Sequence, residues 1–443
     1  MDRFIIDGPT PLKGDIHVSG SKNAALPLMA AALLGNSVSK ICNVPDLRDI
    51  DSFCKVIEET GAGVLHDRAA GTVTIDPCQL SRAVAPYELV RKMRASFYML
   101  GALLGRTGEA VVSLPGGCAW GPRPVDLHLK GLEVMGANVE LVQGDVHAFF
   151  PEVRNHGMRN HGIRGDESQV WAGGGKRSFT LHPSSVGATV NLLLASVMRA
   201  EHFVIENAAI EPDVVLLCRM LQKMGADIEG VGTSTLVIRK VESLRGVEMD
   251  NDPDRIEAGT FMIAAAMLPG SSLQIHHCNP KHLGVFPAYL EKTGAKIHHE
   301  GTTIRVDAPD LVQPVNIQTA IYPGFPTDLQ AQWATLMTQA SGSSVVEDQI
   351  YFDRFSYVPE LARLGADIRL EEHGAVIGGP SQLIGASVMS TDLRASVSLV
   401  MAGMAASGRS QVLRVYHLDR GYEKLEHKLN AVGARIQRAS EHE

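Results

Sequence analysis

At 443 residues the chain is too long for one ordinary core, and two or three domains are expected. Its composition, 45% hydrophobic, 20% charged and 5% aromatic, is that of a globular protein built from closely packed helices and sheets. A net charge of -8 excludes a general nucleic-acid binder, so any arginine cluster is expected to be a local pocket for a small anionic metabolite.

The chain begins with charged residues and a strand-like run, Phe4 to Val18. It holds no apolar core of signal-peptide length there, so a cytoplasmic location is expected. The run Ala24 to Leu34 is apolar but too short to span a bilayer, and no membrane partner is expected. That run belongs to the first of six similar segments, each with a polar or charged start followed by small apolar residues. They begin at Ser21, Arg91, Ser185, Asp254, Thr327 and Thr391, and each is predicted to be a helix. Ser, Thr and Asp suit helix N-caps, and the Ala and Gly content allows burial at short interaxial distances. A parallel set of such helices aims its N-terminal dipoles at one place and attracts anions there.

Downstream of each start, an amphipathic segment closes on a Gly-Ala pair: Gly61-Ala62, Gly136-Ala137, Gly225-Ala226, Gly294-Ala295, Gly365-Ala366 and Gly433-Ala434. The glycine suits the left-handed position that ends a helix. Strand-like runs follow, as in Asp227-Ile-Glu, Lys296-Ile-His and Asp367-Ile-Arg. Six copies of one unit, about 70 residues apart, divide into three and three. The excess length between Gly136 and Gly225 falls on Pro151 to Arg177, which has no sustained period and reads as an inserted surface loop. The chain is expected to start in one domain (1–21), pass through three units of a second (22–252), and return for three more (253–443).

The segment Leu114-Pro-Gly-Gly-Cys118-Ala-Trp-Gly-Pro-Arg123-Pro-Val-Asp126-Leu-His128 places one cysteine in a loop broken by glycine and proline, just before an arginine. Glycines let the backbone approach a ligand, and a nearby guanidinium favours the thiolate. An unpaired cysteine is otherwise a small buried hydrophobe. That reading suits Cys42, Cys54, Cys78, Cys218 and Cys278, which lie in apolar runs or ordinary loops. No Cys-x-x-Cys and no zinc-like spacing occurs, so neither a metal site nor a redox pair is expected. Asp328 and Asp392 each follow a threonine at a helix start, where a plain N-cap and a chemical role are both open. Any one arginine, taken singly, reads as a surface ion-pair partner.

Longer segments carry a resemblance over essentially the whole chain. These are Ser21-Lys22-Asn23-Ala-Ala-Leu-Pro, Met93-Arg94-Ala95-Ser96, the cysteine loop through His128, and Phe325-Pro-Thr-Asp328-Leu-Gln-Ala-Gln. Asp353-Arg354-Phe with Val-Pro-Glu-Leu, Thr391-Asp392-Leu-Arg394-Ala-Ser and Asp419-Arg420-Gly-Tyr follow in the same order. Together they resemble the UDP-N-acetylglucosamine 1-carboxyvinyltransferase family of enolpyruvyl transferases. The resemblance implies a two-domain inside-out α/β barrel, each domain made of three repeated units around buried parallel helices. It implies transfer of the enolpyruvyl group of phosphoenolpyruvate to the 3-hydroxyl of UDP-N-acetylglucosamine with release of phosphate, the first committed step of peptidoglycan synthesis. No metal or organic cofactor is expected, and a monomer is expected.

By position match, Lys22, Arg123 and Arg420 resemble phosphate ligands, and Arg354 and Arg394 resemble carboxylate ligands, with Arg94 nearby. Cys118 resembles the family's general acid, the thiol that fosfomycin alkylates. Asp328 resembles the residue that binds and deprotonates the sugar hydroxyl, and Asp392 a companion acid. Arg123, Pro124, Val125, Asp126 and Leu127 resemble the uridine-binding strip, Ser185, Val186 and Gly187 a diphosphate site, Asn23 a sugar ligand, and Ile350 the side of the sugar pocket.

Three positions depart from the family. Trp120 and Pro122 replace smaller or more flexible residues in the cysteine loop, and Pro183 stands where a diphosphate-binding lysine is common. Lys176 or Arg177 is a candidate for the missing charge. The alternative reading is accordingly an enolpyruvyl transferase acting on a different nucleotide acceptor. Shikimate-directed enolpyruvyl transferases lack the cysteine loop. A cysteine phosphatase loop needs one more residue between Cys118 and Arg123. A non-catalytic binding protein is not expected to keep Lys22, Cys118, Asp328 and Arg420 together.

Overall fold

A computed structural model describes residues 2–91, 93–115, 125–151, 176–372 and 374–440. Small side chains decide its layout. The helices Lys22–Ala32, Tyr98–Thr107, Val186–Arg199, Arg255–Met267, Gln330–Met337 and Leu393–Ala405 are buried around most of their circumference, as helices without a polar face must be. Sheets lie outside them. In the strand Thr72–Asp76, for instance, Val73 and Ile75 point into the core while their neighbours are half-buried. The fold is thus the inside-out α/β arrangement, helices within and sheets without.

Among the described residues the strands form six four-stranded sheets. One repeat shows how the chain makes them. Val84–Ala85 runs parallel to Glu109–Ser113 with the helix Tyr98–Thr107 between them in sequence, the crossover that a parallel pair requires. The helix Asp126–Met135 follows. The strands Asn138–Val142 and Asp145–Phe149 then pair antiparallel, the second joining Glu109–Ser113. All six Gly-Ala glycines have φ between 90° and 115°, the left-handed conformation expected at the helix ends.

Among the described residues the chain divides into two compact units, residues 2–20 with 253–440 and residues 21–252, each with its own apolar core. No helix among the described residues is long and apolar enough to cross a membrane.

Two local expectations are corrected. The run Phe4 to Val18 is not one strand but two, Arg3–Gly8 and Lys13–His17, in different sheets. Pro9 and Pro11 stand between them, and neither has an amide hydrogen to give a ladder. Four of the six helix starts carry the expected side-chain cap: Ser21, Ser185, Asp254 and Asp392. Two do not. Arg94–Phe97 and Thr327–Leu329 form 3-10 turns that lead into their helices, and neither helix has a side-chain N-cap.

Helix packing in the 21–252 unit is close enough to specify glycine. An added Cβ at Gly105 would stand 2.3 Å from the carbonyl oxygen of Leu194, and one at Gly101 2.4 Å from that of Asn191. Gly105→Ala is expected to lower stability by about 1–3 kcal/mol through overpacking, although alanine is the better helix former. A drop in the urea midpoint checks it, and an unchanged or higher midpoint contradicts it.

Candidate active site

The unit formed by 2–20 and 253–440 contains a carboxylate held by two guanidinium groups. Asp328 Oδ1 lies 2.8 Å from Arg354 Nη1, and Asp328 Oδ2 lies 2.8 Å from Arg394 Nη2. The arginine side chains are 6% and 5% exposed, so the pairs lie in surroundings of low dielectric. Burial alone would oppose ionisation of Asp328, but Arg394 and Arg354 outweigh it and hold the carboxyl well below its usual range. The expectation of surface ion pairs fails for both arginines.

Local structure puts these groups together. Arg394 stands in the first turn of Leu393–Ala405, whose N-cap Asp392 accepts the amides of Arg394 and Ala395 at 2.9 and 3.1 Å. The hydroxyl of Tyr422 then joins three helices. Arg394 Nη1 donates to it at 3.2 Å and Gln332 Nε2 at 3.3 Å, while Thr260 Oγ1 lies 2.8 Å away. Thr260, Gln332 and Arg394 belong to three different buried helices, which this hydroxyl ties together. Arg354 Nη1 also donates to Thr327 Oγ1 at 2.9 Å. Ser356 Oγ, two residues on, donates to Asp392 Oδ2 at 2.9 Å, so Asp392 is both an N-cap and a neighbour of the arginine segment. Asp328, by contrast, caps nothing: its oxygens are taken by the arginines. Ile350 is half-buried, with its amide donating to Asp348 at 2.8 Å, and Arg420 ends the 3-10 turn Val415–Arg420.

The 21–252 unit contains the remaining described candidates. Lys22, the first residue of Lys22–Ala32, pairs with the buried Asp49 at 3.1 Å, and Asn23 follows it in the same turn. Arg94 begins the turn Arg94–Phe97. Val125 is the N-cap of Asp126–Met135. Asp126 is exposed and pairs with Lys130 at 3.5 Å, and Leu127 packs on the core. Ser185 accepts the amide of Ala188 at 3.3 Å, and Val186 and Gly187 open that helix. A Cβ on Gly187 would stand 3.1 Å from Cε1 of His128. Asn191 ties this corner together, taking the Gly101 amide at 2.7 Å through its oxygen and meeting His128 Nδ1 at 2.8 Å through its nitrogen. Arg177 Nη1 donates to the carbonyl of Met135 at the end of Asp126–Met135, so this charge serves a helix C-terminus. Lys176 and Pro183 are exposed.

Cys118, Trp120, Pro122, Arg123 and Pro124 lie outside the described residues, as does most of the 151–177 insertion. The other five cysteines are not activated: burial pushes Cys54, Cys218 and Cys278 up to about 12, and Cys42 and Cys78 are also raised. Asp49, Asp348 and Tyr422 are not among the sequence candidates, and Thr327 is among them only as a helix start. Thr327 and Tyr422 sit inside motifs that were recognised, one residue before Asp328 and two after Arg420. Asp49 carries no signal of its own, because Lys22 is brought to it by the fold, and the fold likewise brings Thr319 and Thr327 to Asp348. Among the described residues no cluster of His, Cys, Asp and Glu has the makings of a metal site.

A sequence model of the EPSP synthase (3-phosphoshikimate 1-carboxyvinyltransferase) family matches residues 6–429. The chain is 47% identical over 439 residues to the UDP-N-acetylglucosamine 1-carboxyvinyltransferase of Chlorobaculum parvum, covering 99% of this chain and 98% of that one. It is 45% identical over 438 residues to the protein of the same name from Halothermothrix orenii, covering 99% and 100%. Among solved structures, the enolpyruvyl transferase NikO from Streptomyces tendae is similar with a TM-score of 0.85 and 25% identity over 99% of both chains. EPSP synthase from Acinetobacter baumannii shares the fold with a TM-score of 0.73 at 18% identity, over 99% of this chain and 100% of that one.

His128 gives the 21–252 unit a pH signature. Burial, with the Arg94 charge adding to it, pushes its imidazole down to about 3. In the unfolded chain it titrates near the ordinary value of about 6.5, so the unfolded state gains protons first as pH falls. Stability is therefore lost on going below about pH 6.5, by about 2 kcal/mol between pH 7 and pH 5 from this group alone. His128→Gln, whose oxygen can accept from Asn191, is expected to remove that much of the slope. Urea unfolding at the two pH values measures it, and an undiminished slope would refute the assignment.

Proposed function

The chain belongs to the EPSP synthase (3-phosphoshikimate 1-carboxyvinyltransferase) family and, within it, to the UDP-N-acetylglucosamine 1-carboxyvinyltransferases; from that membership we propose that it transfers the enolpyruvyl group of phosphoenolpyruvate to UDP-N-acetylglucosamine and releases phosphate. The observation that carries the proposal into chemistry is the buried pair Arg354 and Arg394, aligned on the two oxygens of one carboxylate. Such a fork suits the carboxylate of phosphoenolpyruvate. Lys22 and Arg420, with Arg123 outside the described residues, are the proposed phosphate ligands. Asn23, Arg94, Val125 to Leu127, Ser185 to Gly187 and Ile350 are the proposed acceptor ligands, with Pro124 also outside the described residues. This reading takes the protein as a cytoplasmic monomer, without metal or organic cofactor, that supplies peptidoglycan synthesis.

In the reaction the acceptor's 3-hydroxyl oxygen bonds to C2 of phosphoenolpyruvate while the methylene carbon gains a proton, a task given to Cys118. The bond from C2 to the phosphate oxygen then breaks, the methyl group returns one proton, and the vinyl ether and phosphate remain. Asp328 accepts the hydroxyl proton in this scheme. Before substrate arrives, however, Asp328 occupies the very arginines assigned to the substrate carboxylate. The incoming carboxylate displaces it, and once the two cations no longer hold it, Asp328 becomes the stronger base that the next step requires. Asp392, with both oxygens accepting hydrogen bonds, is proposed to act alongside it through the Ser356 hydroxyl.

Phosphate release is expected to depend on UDP-N-acetylglucosamine, and release only with another nucleotide sugar would shift the acceptor. Asp328→Asn is expected to lower that release by about 100-fold or more. It is also expected to tighten phosphoenolpyruvate binding in calorimetry by about tenfold, or about 1.4 kcal/mol, because the internal competitor is gone. Weaker binding in the variant would make Asp328 a support for the arginines instead.

A further inference from the structure

Asp348 is fully buried and accepts four hydrogen bonds. Its Oδ1 takes the Thr319 hydroxyl at 2.7 Å and the amides of Ile350 and Tyr351 at 2.8 Å each. Its Oδ2 takes the Thr327 hydroxyl at 2.5 Å. A hydroxyl has one hydrogen, so Thr327, having donated to Asp348, can only accept on its other side. There Arg354 Nη1 donates to it at 2.9 Å. The carboxylate thereby fixes which way the hydroxyl faces, and the hydroxyl fixes one corner of the guanidinium. On the Oδ1 side, the turn at Ile350 and Tyr351 brings the Tyr351 ring to 5.6 Å from the same guanidinium.

We propose that Asp348 is a positioning residue for the transfer reaction, aiming Arg354 through Thr327 with one oxygen and setting the Ile350 turn with the other. The inference rests on the reading that Arg354 binds the carboxylate of phosphoenolpyruvate and Ile350 borders the sugar. A neutral amide at this position would turn a donor toward Thr327 or the backbone amides and undo one of the two branches.

Steady-state kinetics for both substrates test it with three variants. Thr327→Val keeps the shape and removes the hydroxyl; it is expected to raise KM for phosphoenolpyruvate about tenfold while KM for the sugar nucleotide stays within about twofold. Thr327→Ser is expected to restore the first value. Asp348→Asn is expected to raise at least one of the two KM values. An unchanged KM for phosphoenolpyruvate in Thr327→Val, or no rescue by serine, overturns the proposal. So does an Asp348→Asn enzyme with both KM values intact. Should Asp348→Asn fail to fold, the threonine pair decides alone. Absence of acceptor-dependent phosphate release in the unaltered protein would instead overturn the functional reading, so the two failures are distinct.

Discussion

A buried positive charge must be answered, and in this protein two of them are answered by one side chain. Arg354 and Arg394 are almost wholly withdrawn from water, and Asp328 lies between them. Removing one member of such a group leaves a buried charge uncompensated, at a cost of about 3–5 kcal/mol. The requirement reaches outward: Arg394 stands in the first turn of a helix and is tied to Tyr422, and Tyr422 in turn is tied to two other helices. Charge, capping and helix placement within this unit are consequently one arrangement. A site held this firmly is preorganised for a carboxylate, and Asp328 keeps both arginines satisfied.

The second constraint is steric. Helices that carry functional groups at their starts and are buried along their length need neighbours that come very close, which explains Gly101 and Gly105 against Asn191 and Leu194. Several of the polar side chains in these helices meet partners there. Asn191 satisfies Gly101 and His128 together, and Gln332 reaches both Thr260 and Tyr422. Burial of the helices leaves the sheets to face water.

What was legible in the sequence was mostly local. The Gly-Ala pairs announced the repeat because a left-handed residue at a helix end is demanded by the chain within a few residues of itself. The break in Phe4 to Val18 was also local, marked by Pro9 and Pro11. At Thr327 the expected cap failed for a reason no window of sequence contains: its hydroxyl is claimed by Asp348 and Arg354, residues 21 and 27 positions away. Motif resemblance pointed to Asp328, Arg354 and Arg394 one by one; that the aspartate sits on the arginines themselves emerges only in three dimensions. Arg177, read as a spare charge, turned out to belong to the end of a helix.

The strand Arg3–Gly8 lies between Gly408–Leu413 and Ile436–Ala439, antiparallel to both. Asp7 and Arg409, side by side in that ladder, are 402 residues apart in the chain. On a ribosome adding about 5–20 residues each second, the first strand emerges roughly 20 to 80 s before a partner exists for it. Residues 21–252, by contrast, contain the described strands and helices of their own unit and can fold while translation continues. Birth order and assembly order are therefore out of step: an early segment waits for a late one, and its apolar face must be shielded in between.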